Sequence, residues 1–297
     1  MEEKIGTILN RLEILSRSSR TLQEKDPKHS KNSSNTRYSK DEAIEECMRN
    51  CPGPEKCPHG GYIVYASEDP RYSDLMYECS IYREFRRVKE NMERLIKVLP
   101  KGLWERRLDN FIPEDEVTER ALDLSKKYVR HRAWKIGSNF VLLGGYGTGK
   151  THLAAGIAIE AVNMGDTVAF ITAPSLKIGD FKTVSEKIQE CSGVDLLVID
   201  DLSNETENKM TTDKIFELVN HRYEQGAGTI ITSNLNLTDF DGTVGARIFS
   251  RLGERTAIMR LEGVSSYREK KRERYVAWTK DEFQDASSKL QEEKKGD

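Results

Sequence analysis

The sequence predicts an α/β protein: a parallel five-stranded sheet in a three-layer αβα arrangement, preceded by a small α-rich, metal-binding domain. Three observations predict it. From about residue 103, short and nearly continuous apolar runs alternate with helix-length segments. A glycine-rich turn, "GGYGTGK", joins the first of those runs to a helix. Four of the five cysteines fall between Cys47 and Cys79.

The strands are "NFVLLG" (139–144), "TVAFIT" (167–172), "DLLVID" (195–200), "GTIITSN" (228–234) and "TAIMRLEG" (256–263). A strand with one wet face alternates apolar and polar residues; these runs hardly alternate, so both faces must be covered. Helices over about 114–135, 150–164, 174–190 and 211–225 supply the cover. There is no internal repeat.

Ahead of this core, residues 1–24 read as one amphipathic helix, with Ile5, Ile8, Leu9, Leu12 and Leu15 at helical spacing. Residues 25–40, rich in Ser, Asn and Lys, read as a linker. Residues 41–99 form the cysteine-bearing unit. It holds a helical "DEAIEECMRN", an irregular "CPGPEKCPHGG", a strand "YIVYA" opening a hairpin, and a long helix to Leu99. Ile81, Phe85, Val88, Met92, Leu95 and Leu99 make one stripe along that helix. Pro100 and Gly102 mark the start of the large domain, 100–268, and residues 269–297 read as a charged helix and tail.

The chain has 297 residues, more than one domain comfortably holds. With 37 % hydrophobic and 32 % charged residues, its surface is well solvated. A net charge of −2 gives no global basicity, so any nucleic-acid contact must be local. The basic runs "REFRRVK" and "YREKKRERY" read as solvated helix faces. No run approaches 18 uncharged apolar residues and the first residues are acidic, so neither a membrane span nor a secretory signal is expected. The expected location is cytoplasmic.

Gly144-x-x-x-x-Gly149-Lys150-Thr151 follows a strand and opens a helix. That is the setting in which Gly145, Tyr146, Gly147, Thr148 and His152 can wrap backbone N–H groups around phosphates. Lys150 would bring charge to the β and γ phosphates, and Thr151 would hold Mg²⁺. At the end of the third strand, Asp200 is placed to hold the same Mg²⁺ and Asp201 to polarise a water. Asn234, ending the fourth strand, could position that water. Arg247 and Arg251 stand at i,i+4 spacing; one could stabilise transition-state charge in a neighbour's site.

In a chain without an export signal, clustered cysteines read as metal ligands before disulfides. Cys47, Cys51, Cys57 and Cys79 would make a tetrahedral Zn²⁺ site, with His59 as the alternate fourth ligand. Free thiols and an iron–sulfur cluster are the other readings. Cys191, between a helix and the third strand, reads as a small buried side chain.

As a set, "ERRLDNF", "GGYGTGKTHLA", "LLVIDDLS", "TIITSN", "ARIFSRLGE" and "GVSSYR" resemble the AAA+ P-loop ATPases, and more narrowly the DnaC/DnaI helicase loaders and IstB transposition helpers. The resemblance covers about 103–268. It implies Walker A roles for Lys150 and Thr151, Walker B roles for Asp200 and Asp201, and sensor 1 for Asn234. It also implies an arginine finger at Arg251 and a sensor 2 position at Arg268. Many relatives carry the longer Glu where Asp201 stands, so slow turnover is expected. With about thirty residues left after "SYR", the family's lid domain is expected to be absent or rudimentary.

A zinc-bearing N-terminal domain is similar to that of DnaI-type loaders. The resemblance therefore implies an ATP-dependent loader that binds a hexameric replicative DNA helicase and single-stranded DNA and self-associates with ATP. Lys177 and Lys182 are the DNA-contact candidates. The competing expectations are a transposase-helper ATPase and a nucleotide-gated adaptor with negligible turnover.

Overall fold

The computed structural model describes residues 38–68, 71, 74–177, 181–202, 209–240, 255–270 and 272. Several sequence expectations lie outside the described residues: the 1–24 helix, most of the linker, Arg247, Arg251 and the charged tail. The side chains of Lys177 and Lys182 do so too. The chain divides into two compact units: Met1–Arg94 with Asn163–Gly165, and Leu95–Val162 with Asp166–Asp297.

The smaller unit opens with α1 (Lys40–Arg49). Its start is fixed by a capping box in which Glu42 Oε2 accepts from the Ser39 N–H at 2.9 Å. β1 (Tyr62–Ala66) and β2 (Asp74–Glu78) then pair antiparallel, with Val64 opposite Met76. α2 (Ser80–Val98) starts one residue after Cys79 and runs across the division between the units. Of its expected stripe, Val88, Met92, Leu95 and the following Leu99 are buried. Ile81 is not: at 44 % exposed it sits in the first turn, beside the cysteines.

The larger unit is the parallel five-stranded sheet. Its strands are β3 (Asn139–Gly144), β4 (Val168–Thr172), β5 (Leu196–Asp200), β6 (Thr229–Ser233) and β7 (Thr256–Leu261), in the order β4-β5-β6-β3-β7. Every residue of β3, β5 and β6 is buried, which is why their sequences do not alternate. The flanking helices are α3 (Glu116–Arg130), α4 (Lys150–Asn163), α5 (Phe181–Ser192) and α6 (Lys209–Glu224), followed by the single turn α7 (Leu237–Phe240). From β3 the chain runs to the far edge at β4, then returns through β5 and β6 and crosses to β7 on the other side of β3. The strand order thus reverses beside β3, and the crevice for a ligand lies at the carboxyl ends of β3, β5 and β6.

Two helix expectations are corrected. The helix expected over 114–135 stops at Arg130 and gives way to a 3₁₀ turn, Ala133–Ile136. Arg132 (φ 46°) and Gly137 (φ 73°) bracket that turn in the left-handed region, which no α-helix continues through. The segment 174–190 is a 3₁₀ turn, Ala173–Lys177, and then α5; Cys191 lies in the last turn of α5 rather than after it and is buried.

At the opposite, amino end of the sheet, Arg222 of α6 is wholly buried. Its guanidinium donates to the carbonyls of Cys191 (3.3 Å), Ser192 (3.3 Å), Val194 (2.8 Å), Asp195 (3.2 Å) and Gly228 (2.6 Å), and to the Thr229 hydroxyl (3.2 Å). One side chain therefore ties the end of α5 to the starts of β5 and β6. Burial lowers its pKa to about 10.

Candidate functional site

Lys150 is the first residue of α4 and almost fully buried. Its ammonium donates to Gly144 O (2.8 Å), Gly145 O (2.6 Å) and Thr148 Oγ1 (3.3 Å). Burial brings its pKa down to about 8, against the opposing pull of Asp201 and Asp200. A triphosphate would replace these neutral carbonyl partners with an anion. Gly147 (φ 77°) and Gly149 (φ 93°) give the loop its left-handed corners. A Cβ on Gly149 would lie 2.6 Å from the Phe111 ring, and one on Gly147 would overlap Ser266.

Opposite the lysine, the carboxyl ends of β5 and β6 bring four polar side chains together. Asp200 Oδ1 accepts from the Thr151 hydroxyl at 2.9 Å and from the Thr232 hydroxyl at 2.6 Å. Burial raises the Asp200 pKa against those two hydrogen bonds. Asp201 takes up φ 60°, a left-handed conformation rare outside glycine. Its N–H donates to Thr232 Oγ1 at 2.9 Å, and its Oδ1 accepts from Asn234 Nδ2 at 2.6 Å. Thr151 and Asp200 are thus close enough to share one Mg²⁺, and Asp201 and Asn234 face each other beside them.

The other expected residues divide. Tyr146 is 70 % exposed on the loop. Arg268 lies near enough to Lys150 to oppose its charge. It follows Tyr267, whose N–H donates to Gly147 O at 3.1 Å. His152 turns away from the loop: its Nε2 lies 2.9 Å from both Arg107 O and Asn110 Oδ1, and its ring stands edge-on to Phe111. The segment "ERRLDNF" is held against α4 through these contacts and through Gly156, where a Cβ would come within 3.0 Å of Leu108. Thr232 lies inside "TIITSN" but carries no mark in the sequence of what it meets. Only the pairing of β5 with β6, Ile199 opposite Ile231, sets it beside Asp200.

In the smaller unit, Cys47, Cys51, Cys57 and Cys79 line one pocket with Gly61, Ile63 and Tyr82; none forms a disulfide. Cys57 Sγ accepts from the Gly61 N–H at 3.4 Å, and the Cys79 N–H donates to Gly61 O. Burial and the three neighbouring thiols raise the pKa of Cys47. His59 is exposed and does not line the pocket. As placed, no three His, Cys, Asp or Glu among the described residues stand ready to hold a metal ion.

Fold, phosphate loop and paired acids define a P-loop ATPase of the AAA+ class. Residues 75–275 match the family described as IstB-like ATP binding protein, and the chain belongs to that family. It is 30 % identical over 152 residues to the IS21 ATP-binding protein of Pseudomonas aeruginosa, covering 48 % of this chain and 57 % of that one. It is 30 % identical over 167 residues to the replicative helicase loader DnaC of Escherichia coli K12, covering 54 % of this chain and 68 % of DnaC. Among solved structures it is similar to the DnaC helicase loader (TM-score 0.48, 23 % identity, covering 54 % of this chain and 99 % of that one). It is also similar to DnaI (TM-score 0.48, 22 % identity, 56 % and 93 %). The chain thus spans little more than half of the IS21 relative. Among the described residues, no helix is long and apolar enough to cross a membrane.

Proposed function

We propose that the protein is an ATP-dependent loader of a replicative DNA helicase, acting through its cysteine-bearing unit on the helicase and through its sheet unit on ATP. Lys150, the loop from Gly144 to Gly149 and Arg268 would hold the phosphates. Thr151 and Asp200 would hold Mg²⁺, which neutralises phosphate charge when bound. Asp201 would orient the attacking water, and Asn234, now bonded to Asp201, would have to release it first. Arg251 from a neighbouring copy would complete the site, and single-stranded DNA would bind the assembled protein.

The observation that carries the loader reading is the pocket of four cysteines joined to an ATPase core. Its donors suit Zn²⁺: four thiols, no disulfide, and a backbone N–H already bonded to Cys57 Sγ. Metal analysis of the full chain should find about one zinc per chain, a closed tetrahedral site being filled stoichiometrically. Cys57→Ser should lose most of it. Zinc well below half an equivalent in the parent protein removes this part of the reading.

The decisive experiment is co-purification with the host's replicative helicase in the presence of ATP and Mg²⁺. Stable capture that depends on the cysteine-bearing unit supports the loader. The IS21 relative and the family description favour a second reading, a transposase-helper ATPase. Capture of a transposase with no helicase contact would establish it instead.

A further inference from the structure

Resting on the ATP-site reading, we infer that Thr232 is a positioning residue that ties the two acids together, and that it serves hydrolysis rather than nucleotide binding. Thr232 is 1 % exposed and is the second-to-last residue of β6. A threonine hydroxyl has one proton and two lone pairs. Its neighbours fix how these are used. Asp200 Oδ1, 2.6 Å away, has no hydrogen to give when ionised, so the Thr232 proton points there. The Asp201 N–H, 2.9 Å away, can only donate, so it takes a lone pair. The hydroxyl is oriented from both sides.

The two bonds do different things. Asp200 has a second hydroxyl, from Thr151 at 2.9 Å, and keeps it when Thr232 is changed. The metal-holding pair therefore survives. Asp201 has no such reserve at its backbone. Its left-handed φ of 60° costs an aspartate less than most side chains, yet it is still less favourable than an ordinary conformation and draws on support from its surroundings. Those surroundings come from β6. Thr232 Oγ1 holds the Asp201 N–H, Thr232 O accepts from the Leu202 N–H at 2.9 Å, and the Ser233 hydroxyl donates to Leu202 O. Removing the Thr232 hydroxyl takes away the bond on the Asp201 N–H itself, while the two bonds to Leu202 remain, and leaves Asn234 as the partner that aims the carboxylate.

The test compares Thr232→Val, Thr232→Ser and Lys150→Ala in the full chain. It reads equilibrium affinity for a fluorescent ATP analogue with Mg²⁺, steady-state ATPase rates, and melting temperature. Thr232→Val should lower kcat on the order of 10- to 100-fold while its nucleotide Kd stays within about 3-fold of the parent. Thr232→Ser, which keeps the hydroxyl, should stay within about 3-fold on both. An unchanged kcat in Thr232→Val, or a loss of affinity as large as the loss of rate, overturns the inference. So does a folded Thr232→Ser protein as slow as the valine variant. Should Lys150→Ala bind nucleotide like the parent, the reading of the site itself fails, and that result is distinct from any of these.

Discussion

Replacing Arg222 by methionine should destabilise the protein by about 3–5 kcal/mol, the range for breaking a buried charged network, and lower the melting temperature on the order of 10 °C. The side chain is buried completely and meets five backbone carbonyls and one hydroxyl. Methionine fills similar length but supplies no donor. Buried carbonyls that lose their partner keep their desolvation cost. Arg222→Lys should recover little, because one ammonium cannot reach carbonyls spread from the end of α5 to the start of β6 as a planar fork does. Thermal unfolding followed by circular dichroism checks both. A methionine variant within about 1 kcal/mol of the parent shows that the carbonyls find other donors, as the usual size of an ordinary substitution would imply.

Lys150→Ala should weaken Mg·ATP binding on the order of 10- to 100-fold, as expected for a hydrogen bond to a charged group, while the fold persists. Two opposing effects must be weighed. The lysine is buried and its pKa is pulled down to about 8, so it is costly to keep charged in the free protein. Its only described acceptors there are loop oxygens. A bound triphosphate supplies the missing negative charge, so the gain on binding exceeds that of a lysine starting in water. Alanine also releases Gly144 O and Gly145 O and loosens the cradle. Isothermal titration with a slowly hydrolysed ATP analogue and Mg²⁺ measures the effect. Equal affinity in the two proteins means that the phosphates bind elsewhere.

Much of the core was legible because its signal is dense. Runs such as "LLVID" have no polar residue before the functional one, and the acid at the end stands out against them. The sheet order was not legible, since nothing in β5 says that β6 rather than β3 lies beside it. Thr232 was invisible for that reason. Arg222 carries no sequence signal because five of its six partners are backbone carbonyls scattered from 191 to 228, which leave no mark in side-chain identity. The two misplaced helix ends have a similar cause. Arg132 in a left-handed conformation carries no glycine to announce it. His152 sat beside the loop in sequence, and only packing shows it serving the segment at 107–110.

The sheet order also acts as a gauge. β3, which ends at the phosphate loop, and β5, which ends at the acids, each pair with β6 and not with each other. Two strand spacings of about 4.8 Å set their backbones roughly 10 Å apart. Thr151 and Asp200 reach across that two-strand separation and touch at 2.9 Å. The width of the jaw is therefore a property of the hydrogen-bonded ladder. Side-chain changes at its rim leave that spacing as it is.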